Sequence, residues 1–183
     1  MVTFPPTSAD RVVAFYSGGK DDRGRTLQEI WRWSDEELER VHDYVQWVFP
    51  TPQVSAVNPS APLVTPETTR AFHARPELRE ALKHSLERML AFYGLRRGTS
   101  ADTLRIEIAA ERFPERARYW LSPGNHNHLR LTRILQSLSS LGLAAEAQAL
   151  QRCLVHDVYE GPGRDKITDD TYQFWSKAVT PPA

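Results

Sequence analysis

The stretch from Ser34 to Pro50 constrains the fold most, because it combines a helix start, a helical apolar pattern and a helix stop. Ser34 and Glu37 have the spacing of a capping box, in which each side chain accepts a hydrogen bond from the other residue's backbone N–H. Apolar residues then recur at helical period as far as Val48. Pro50 cannot continue a helix and also restricts the residue before it. The pattern therefore predicts one amphipathic helix over residues 34–49.

The same periodicity recurs along most of the chain. Gly94 and Gly142 follow apolar-periodic segments and are typical helix stops. Thr65 and Thr168 occupy positions where they can cap the start of a helix. The pattern predicts an all-α, single-domain irregular helical bundle of about seven helices. The clearest segments cover about residues 10–16, 26–33, 34–49, 77–93, 126–141 and 144–159.

One short segment has a strand-like pattern instead. Apolar and charged residues alternate between Leu104 and Ile108. Because an extended segment without a partner strand is not stable, we expect irregular chain here. It should lead into a short helix over residues 109–113, with a turn over residues 119–125.

Length and composition predict one soluble domain. The chain has 183 residues, of which 40% are hydrophobic and 25% are charged, which is ordinary for a globular protein. We expect a helical domain over residues 9–178, with tails at residues 1–8 and 179–183. The chain has no apolar run long enough to span a bilayer and no signal-peptide pattern in its first ten residues, so we expect a cytoplasmic location. A single cysteine, Cys153, excludes an intramolecular disulfide and a zinc site built from several cysteines.

The charge balance argues against nucleic-acid binding through bulk positive charge. The 23 basic and 23 acidic residues give a formal net charge of zero. Nucleic-acid binding through a local basic patch is the remaining alternative, and it would require several arginines of one region to share an exposed face. These are Arg112, Arg116, Arg118, Arg130 and Arg133.

Four segments of the sequence share both their residues and their spacing with one family. They are YSG at 16–18 leading to DRGRTL at 22–27, HDYVQWVFP at 42–50, SLERMLAFYG at 85–94 and NHLRLTRIL at 127–135. Together they resemble the opioid growth factor receptor conserved domain, over about residues 12–159. Asp21 stands where members of that family often have proline.

The resemblance implies a receptor-like binding role without catalytic residues. Animal members of the family resemble receptors that bind the peptide met-enkephalin and act at the nucleus, and they carry C-terminal tails or repeats beyond the shared domain. The short length of this chain is similar to that of bacterial single-domain members, and no basic cluster for nuclear import is visible. We therefore expect a peptide or protein partner.

Seven residues are the candidate ligand contacts. An aromatic-lined groove near Tyr44, Trp47 and Trp120 would supply contact area, and arginines would supply orientation. His42 and Gln46 lie one helical turn apart at the border of the predicted helix. The candidates are His42, Tyr44, Gln46, Trp47, Asn127, Arg130 and Arg133.

A polar network is predicted between the last two long helices. Asn127 and Asp157 fall on the apolar faces of their helices and Arg130 at the edge of one, and buried polar groups need partners. We expect Arg130 to pair with Asp157. The pair either sets the register of two antiparallel helices or forms an anion or carboxylate site.

Catalysis and metal binding have less support. His126 and His128 are two residues apart, so on a helix they point away from each other and do not chelate one metal. The sequence has no Gly-x-Ser-x-Gly elbow. No metal or cofactor is predicted. The alternative to a binding domain is an enzyme of unknown reaction with His42 or His128 as its base in a polar pocket.

Overall fold

The computed structural model describes residues 8–56, 58–98 and 103–179, and within them the fold is mostly helical. These residues form ten α-helices, one π-helix and one sheet of two antiparallel strands. The mostly helical prediction is confirmed, but the count of about seven helices is not. In chain order the elements are α1 (Ser8–Tyr16), α2 (Leu27–Trp31), α3 (Asp35–Arg40), α4 (Val45–Val48), α5 (Pro66–Ala74), α6 (Pro76–Tyr93), β1 (Leu95–Arg97), β2 (Ile106–Ile108), α7 (Phe113–Trp120), α8 (His126–Ser140), α9 (Ala144–Arg152), the π-helix (Cys153–Tyr159) and α10 (Asp169–Lys177).

The chain divides into two compact units. The first comprises Met1–Ser85 with Ser140–Gly142, and the second comprises Leu86–Ser139 with Leu143–Ala183. None of the described helices combines the length and the apolarity that crossing a bilayer requires. Of the predicted tails, residues 1–7 and 180–183 lie outside the described residues, whereas Ser8 begins α1 and Val179 is buried.

Aromatic side chains form much of the core of the first unit. Phe15 of α1 meets Trp47 of α4 edge to face, with ring centroids 5.4 Å apart, and Tyr16 meets Phe72 of α5 at 5.0 Å. The Tyr16 hydroxyl donates a hydrogen bond to the backbone oxygen of Val48. These contacts fix α1 and α5 around the segment that carries α4.

The predicted helix starts of the first unit are confirmed. Thr26 and Ser34 each form a capping box, with Glu29 and Glu37 respectively. Thr65 caps α5, with Pro66 in the first turn. Each cap is satisfied within three residues, so its signal is complete in the local sequence.

The single helix predicted over residues 34–49 is wrong. Helix α3 ends at Arg40, Val41 is extended, and α4 begins only at Val45. In a continuous helix the backbone oxygen of Leu38 would accept from the N–H of His42. It accepts instead from the hydroxyl of Tyr44, 3.3 Å away. A side-chain hydrogen bond from a residue six positions further along the chain therefore occupies this oxygen where the helix ends.

The second unit contains a hairpin that the sequence analysis missed. Strands β1 and β2 pair antiparallel, with Leu95 opposite Ile108 and Arg97 opposite Ile106. The expectation of irregular chain is wrong because Leu95–Arg97 supplies the partner strand. Helix α7 covers Phe113–Trp120, so it begins where the short helix predicted over residues 109–113 should end, and it extends into the turn predicted over residues 119–125.

The end of the predicted helix over residues 144–159 is not α-helical. The α9 segment stops at Arg152 and continues as a π-helix to Tyr159. Cys153, Leu154 and Val158 of this segment are buried, so its apolar pattern was interpreted correctly as a core face although its hydrogen bonding was not.

Candidate functional site

The loop between α1 and α2 is organised by a buried carboxylate. Lys20 and Thr26 form an isolated antiparallel bridge that closes the loop. The Asp21 side chain is fully buried and accepts hydrogen bonds from the backbone N–H groups of Arg23 and Arg25, both at 2.9 Å. It also accepts from Nε of Arg25 at 2.6 Å. Asp21 therefore holds the loop and orients the Arg25 guanidinium.

Two arginines of this loop converge on Asp43. Arg25 reaches Oδ1 of Asp43 at 2.9 Å, and Arg23 reaches Oδ2 at 3.1 Å. Partial burial alone would raise the pKa of the Asp43 carboxyl, but hydrogen bonds and charge from Arg25 and Arg23 outweigh it and lower the pKa. Asp43 is thus held as a carboxylate at the surface of the first unit.

A third arginine completes the arrangement. Arg11 of α1 donates to Oδ1 of Asp22 at 2.7 Å and to the backbone oxygen of Ser60 at 3.0 Å. Its guanidinium lies 4.9 Å from the centre of the Trp47 ring, a cation–π distance. Arg11 therefore joins the loop, the long connection around Ser60 and the aromatic core.

Together these side chains line a pocket of about 520 Å³ in the first unit, which we call the arginine–aspartate pocket. Its walls carry both signs of charge. The Arg23 side chain is 72% exposed and Asp22 is 45% exposed, so both can exchange their present partners for a ligand. The lining residues are Arg11, Asp22, Arg23, Arg25, Asp43, Trp47, Asn58 and Ser60.

Of the four candidates in the first unit, one lines this pocket. Trp47 does so, although its side chain is largely buried. Tyr44 is fully buried, and its ring lies edge-on to Trp33 at 5.4 Å. Gln46 is buried, and its amide nitrogen lies 3.2 Å from the backbone oxygens of both His42 and Asp43 when the amide is oriented to donate to them. His42 is exposed and is not part of the pocket lining.

The other three candidates lie on α8 in the second unit, where two of them are structural. Asn127 is fully buried, and its side-chain oxygen accepts from the Tyr93 hydroxyl at 3.4 Å and from Arg130 at 3.3 Å. Arg130 is buried as well. Arg133 is partly buried, and burial lowers the pKa of its guanidinium. The two sets of candidates thus belong to different units.

Asp157 has a different partner from the one predicted. Its carboxylate lies 3.9 Å from Nη2 of Arg105, and its side chain is 35% exposed. The prediction of an Arg130–Asp157 pair is wrong because the π-helix changes which side chains share a face with Asp157. Burial and the neighbouring Asp157 raise the pKa of the Cys153 thiol to about 12, which disfavours the thiolate form.

His128 supports the core of the second unit. Its Nε2 lies 2.9 Å from the backbone oxygen of Trp120, so Nε2 carries the proton and donates it. Thr171 lies 3.5 Å from Nδ1, and the Trp175 indole donates to the backbone oxygen of His128 at 3.2 Å. Burial lowers the pKa of His128. Both ring nitrogens are engaged, which leaves neither of them placed to act as a base.

Burial also removes two expected surfaces. Tyr44 and Trp120 are fully buried, so they do not offer the predicted aromatic contact area. Arg116 and Arg130 are buried too, so the five arginines considered for nucleic acid do not share an exposed face. Within residues 8–56, 58–98 and 103–179, no three His, Cys, Asp or Glu side chains are grouped so that they could hold a metal ion.

Four of the pocket residues that sequence reasoning missed lie in segments it had already singled out. Asp22, Arg23 and Arg25 lie in the DRGRTL block and Asp43 in the HDYVQWVFP block. The signal was the presence of charged residues in two blocks that resemble the same family. Arg11 precedes the first block and carried no comparable signal.

Comparison with known proteins places these segments in context. Residues 21–182 match the family described as the opioid growth factor receptor (OGFr) conserved region. The chain is 40% identical to the opioid growth factor receptor of Rattus norvegicus over 126 residues, which is 66% of this chain and 20% of that protein. It is 35% identical to the human opioid growth factor receptor over 150 residues, 78% of this chain and 21% of that protein.

A second group of relatives matches with lower identity. Opioid growth factor receptor-like protein 1 of Mus musculus is 30% identical over 137 residues, which is 73% of this chain and 28% of that protein. The chain therefore spans about a fifth to a quarter of the length of these relatives. These relatives are mammalian and lend no support to a bacterial assignment. No solved structure matches the chain.

Proposed function

Because the chain belongs to the opioid growth factor receptor conserved-region family, we propose that it is a receptor-like binding module for a short peptide or an exposed segment of a protein. The family match supports the receptor-like role. We propose further that the arginine–aspartate pocket of the first unit holds the ligand, and that the ligand is of the met-enkephalin type.

The charge pattern of the pocket carries this proposal. Arginine presents a planar fork of donors that matches a carboxylate, and Arg23 is the most exposed of the three arginines. The carboxylates of Asp22 and Asp43 can accept from an ammonium group. A short peptide with free ends offers both groups at once, so it can replace ion pairs that the pocket now makes with itself.

The rigidity of the pocket strengthens the argument. Asp21 holds the loop through three hydrogen bonds, and Arg11 rests on the Trp47 ring. Side chains that are already oriented lose less conformational freedom when a ligand binds. The pocket should therefore bind a ligand at a lower entropic cost than a set of mobile surface charges would.

The test is a titration of the chain with unlabelled met-enkephalin, followed by isothermal titration calorimetry, which leaves both ends of the peptide free. Arg23→Gln removes the exposed fork and Asp43→Asn removes the shared carboxylate, and each should weaken binding by about tenfold, the loss of one charge-assisted hydrogen bond. Arg70→Gln is the matched control. Arg70 is similarly exposed at 68% and paired with Glu67 on α5, but it does not line the pocket.

Titration with end-blocked peptides shows which end meets which residue. Blocking the peptide carboxylate by amidation should weaken binding to the parent chain but not to Arg23→Gln. Acetylating the amino end should do the same relative to Asp43→Asn. Equal binding by Arg23→Gln, Asp43→Asn and Arg70→Gln would show that the ligand does not use this pocket.

A further inference from the structure

A second recess lies in the second unit, on α7, and it differs from the first pocket in having an apolar floor. It has a volume of about 410 Å³. One wall is a single face of α7 and its end, since residues three and four apart share a helix face. The other wall comes from the turn between the π-helix and α10. The residues that line this α7 recess are Phe113, Pro114, Ala117, Arg118, Leu121, Pro162 and Lys166.

The α7 wall of the recess is rigidly held. Gly94 comes so close to α7 that a Cβ there would lie 2.7 Å from Cα of Phe113. The buried Arg116 donates from Nε to the backbone oxygen of Phe92 at 2.7 Å. Phe113 lies edge-on to Trp120, with ring centroids 6.0 Å apart. These contacts on the buried side of α7 hold the helix in place, so its outer face forms a fixed wall of the recess.

The opposite wall is a tight turn. The backbone N–H of Gly163 donates to Val158 at 2.8 Å, and that of Ile167 donates to Gly163 at 3.0 Å. Ile167 is buried beneath the turn, which leaves Pro162 and Lys166 exposed at the rim. The recess is thus a preformed feature bounded by two anchored segments.

The rim carries two exposed cations, Arg118 and Lys166. Neither makes an ion pair within 4.0 Å with any residue that the structure describes. Arg96, Arg97 and Arg105 of the same unit all have such partners, with Glu107, Glu87 and Asp157 respectively. An apolar floor between two unpaired cations is complementary to an apolar side chain flanked by carboxylates.

We propose that the α7 recess is a docking site for a short acidic segment of a partner protein. One aliphatic side chain of the segment occupies the floor formed by Phe113, Ala117 and Leu121. Carboxylates on either side of it pair with Arg118 and Lys166. This site lies within the second unit and does not depend on the function proposed for the arginine–aspartate pocket.

The test uses the whole chain and a defined probe, the N-acetylated and C-amidated peptide DDLDD, followed by two-dimensional NMR of the ¹⁵N-labelled protein. Millimolar probe should shift amide resonances of α7 and of residues 162–167 in a saturable manner. Replacing the central leucine of the probe by serine should weaken binding by about tenfold or more, since the apolar side chain that fills the floor is lost. The peptide KKLKK should not bind.

The chain variants separate charge from fold. Arg118→Glu combined with Lys166→Glu should weaken DDLDD binding by more than tenfold and favour KKLKK. Lys177→Glu, which changes an exposed cation of α10 outside the recess, is the matched control and should bind like the parent. Both variants alter exposed residues only, so unchanged thermal midpoints should accompany these results.

Three outcomes would overturn the proposal. They are the absence of saturable shifts at millimolar DDLDD, equal binding by the double charge reversal and the parent, and shifts that map outside α7 and residues 162–167. Sedimentation of the parent provides an independent check. A dimer that Arg118→Glu with Lys166→Glu converts to monomer would identify a second copy of the chain, and not an acidic segment, as the occupant.

Discussion

Arginine side chains have opposite roles in the two units. In the first unit, Arg23 is 72% exposed and makes one ion pair, with Asp43, across an open pocket. In the second, Arg116 is buried, its Nε donates to the backbone oxygen of Phe92, and its guanidinium lies 4.9 Å from the Phe92 ring and 4.6 Å from the Tyr119 ring. The same type of side chain can exchange its ion-pair partner for a ligand in the first unit and is part of the core in the second.

The difference lies in what replaces water around the charge. Water still solvates Arg23, so breaking its ion pair costs little and a ligand can compete for it. Arg116 has lost its water to a backbone oxygen and two aromatic faces, so nothing outside the protein can satisfy it. An arginine in a sequence motif therefore indicates a ligand site only where its partners leave it accessible.

The largest effect should come from removing the buried arginine. Arg116→Ala deletes a charge-assisted hydrogen bond and two ring contacts, so we expect the free energy of unfolding to fall by about 2–4 kcal/mol. Urea denaturation measures the loss. Arg118→Ala, an exposed change on the same helix, should alter it by less than about 0.5 kcal/mol. Similar losses for both would remove the contrast between core and surface arginines.

A smaller loss of unfolding free energy should follow from changing Asp21, the buried carboxylate that holds the pocket loop. Asp21→Asn keeps the size of the side chain but removes the charge that accepts from two backbone N–H groups and from Nε of Arg25. We expect a loss of about 1–3 kcal/mol of unfolding free energy and weaker peptide binding. An Asp21→Asn chain with full stability would show that the loop of the first unit is organised by something else.

The pH dependence of stability should reveal the buried histidine of the second unit. Burial lowers the folded-state pKa of His128, so unfolding takes up a proton when the pH falls below the unfolded value of about 6.5. The stability that depends on neutral His128 is complete above that pH and declines as the pH falls toward the folded-state pKa. Denaturation at pH 7.5, 6.5 and 5.5 measures this decline, and His128→Asn should flatten it. An unchanged slope in that variant would exclude His128 as the source.

The smallest effect on stability should come from the pocket itself. Asp43→Asn breaks two partly exposed ion pairs, and such pairs contribute at most about 1 kcal/mol. We therefore expect a small change in the urea midpoint together with the tenfold loss of peptide affinity proposed above. A loss of stability as large as that of Arg116→Ala would show that Asp43 belongs to the core. The contrast between exposed pocket charges and buried core charges would then not hold.

Much of the local structure was predictable from the sequence. The capping boxes at Thr26 and Ser34 and the cap at Thr168 all occur where their spacing indicated. The helix predicted over residues 77–93 is found at Pro76–Tyr93. The family blocks also located most of the pocket, although the individual side chains chosen within them were largely core residues.

Pairings between distant residues were not predictable in the same way. The strand Ile106–Ile108 needed Leu95–Arg97 as its partner. Asp157 was assigned to Arg130 because the helical period was extended through a segment that is a π-helix. Each error arose where a single local rule was continued past a tertiary contact.

The sequence by itself determined where helices start, which of their faces are apolar and which family the blocks resemble. These properties depend on residues within about one helical turn of each other, or on the order of residues alone. Only the tertiary structure decided which charges stay in water. Arg25 reaches Asp43 across 18 residues and Arg11 reaches Ser60 across 49, and whether such contacts leave a side chain exposed depends on how the chain closes around it.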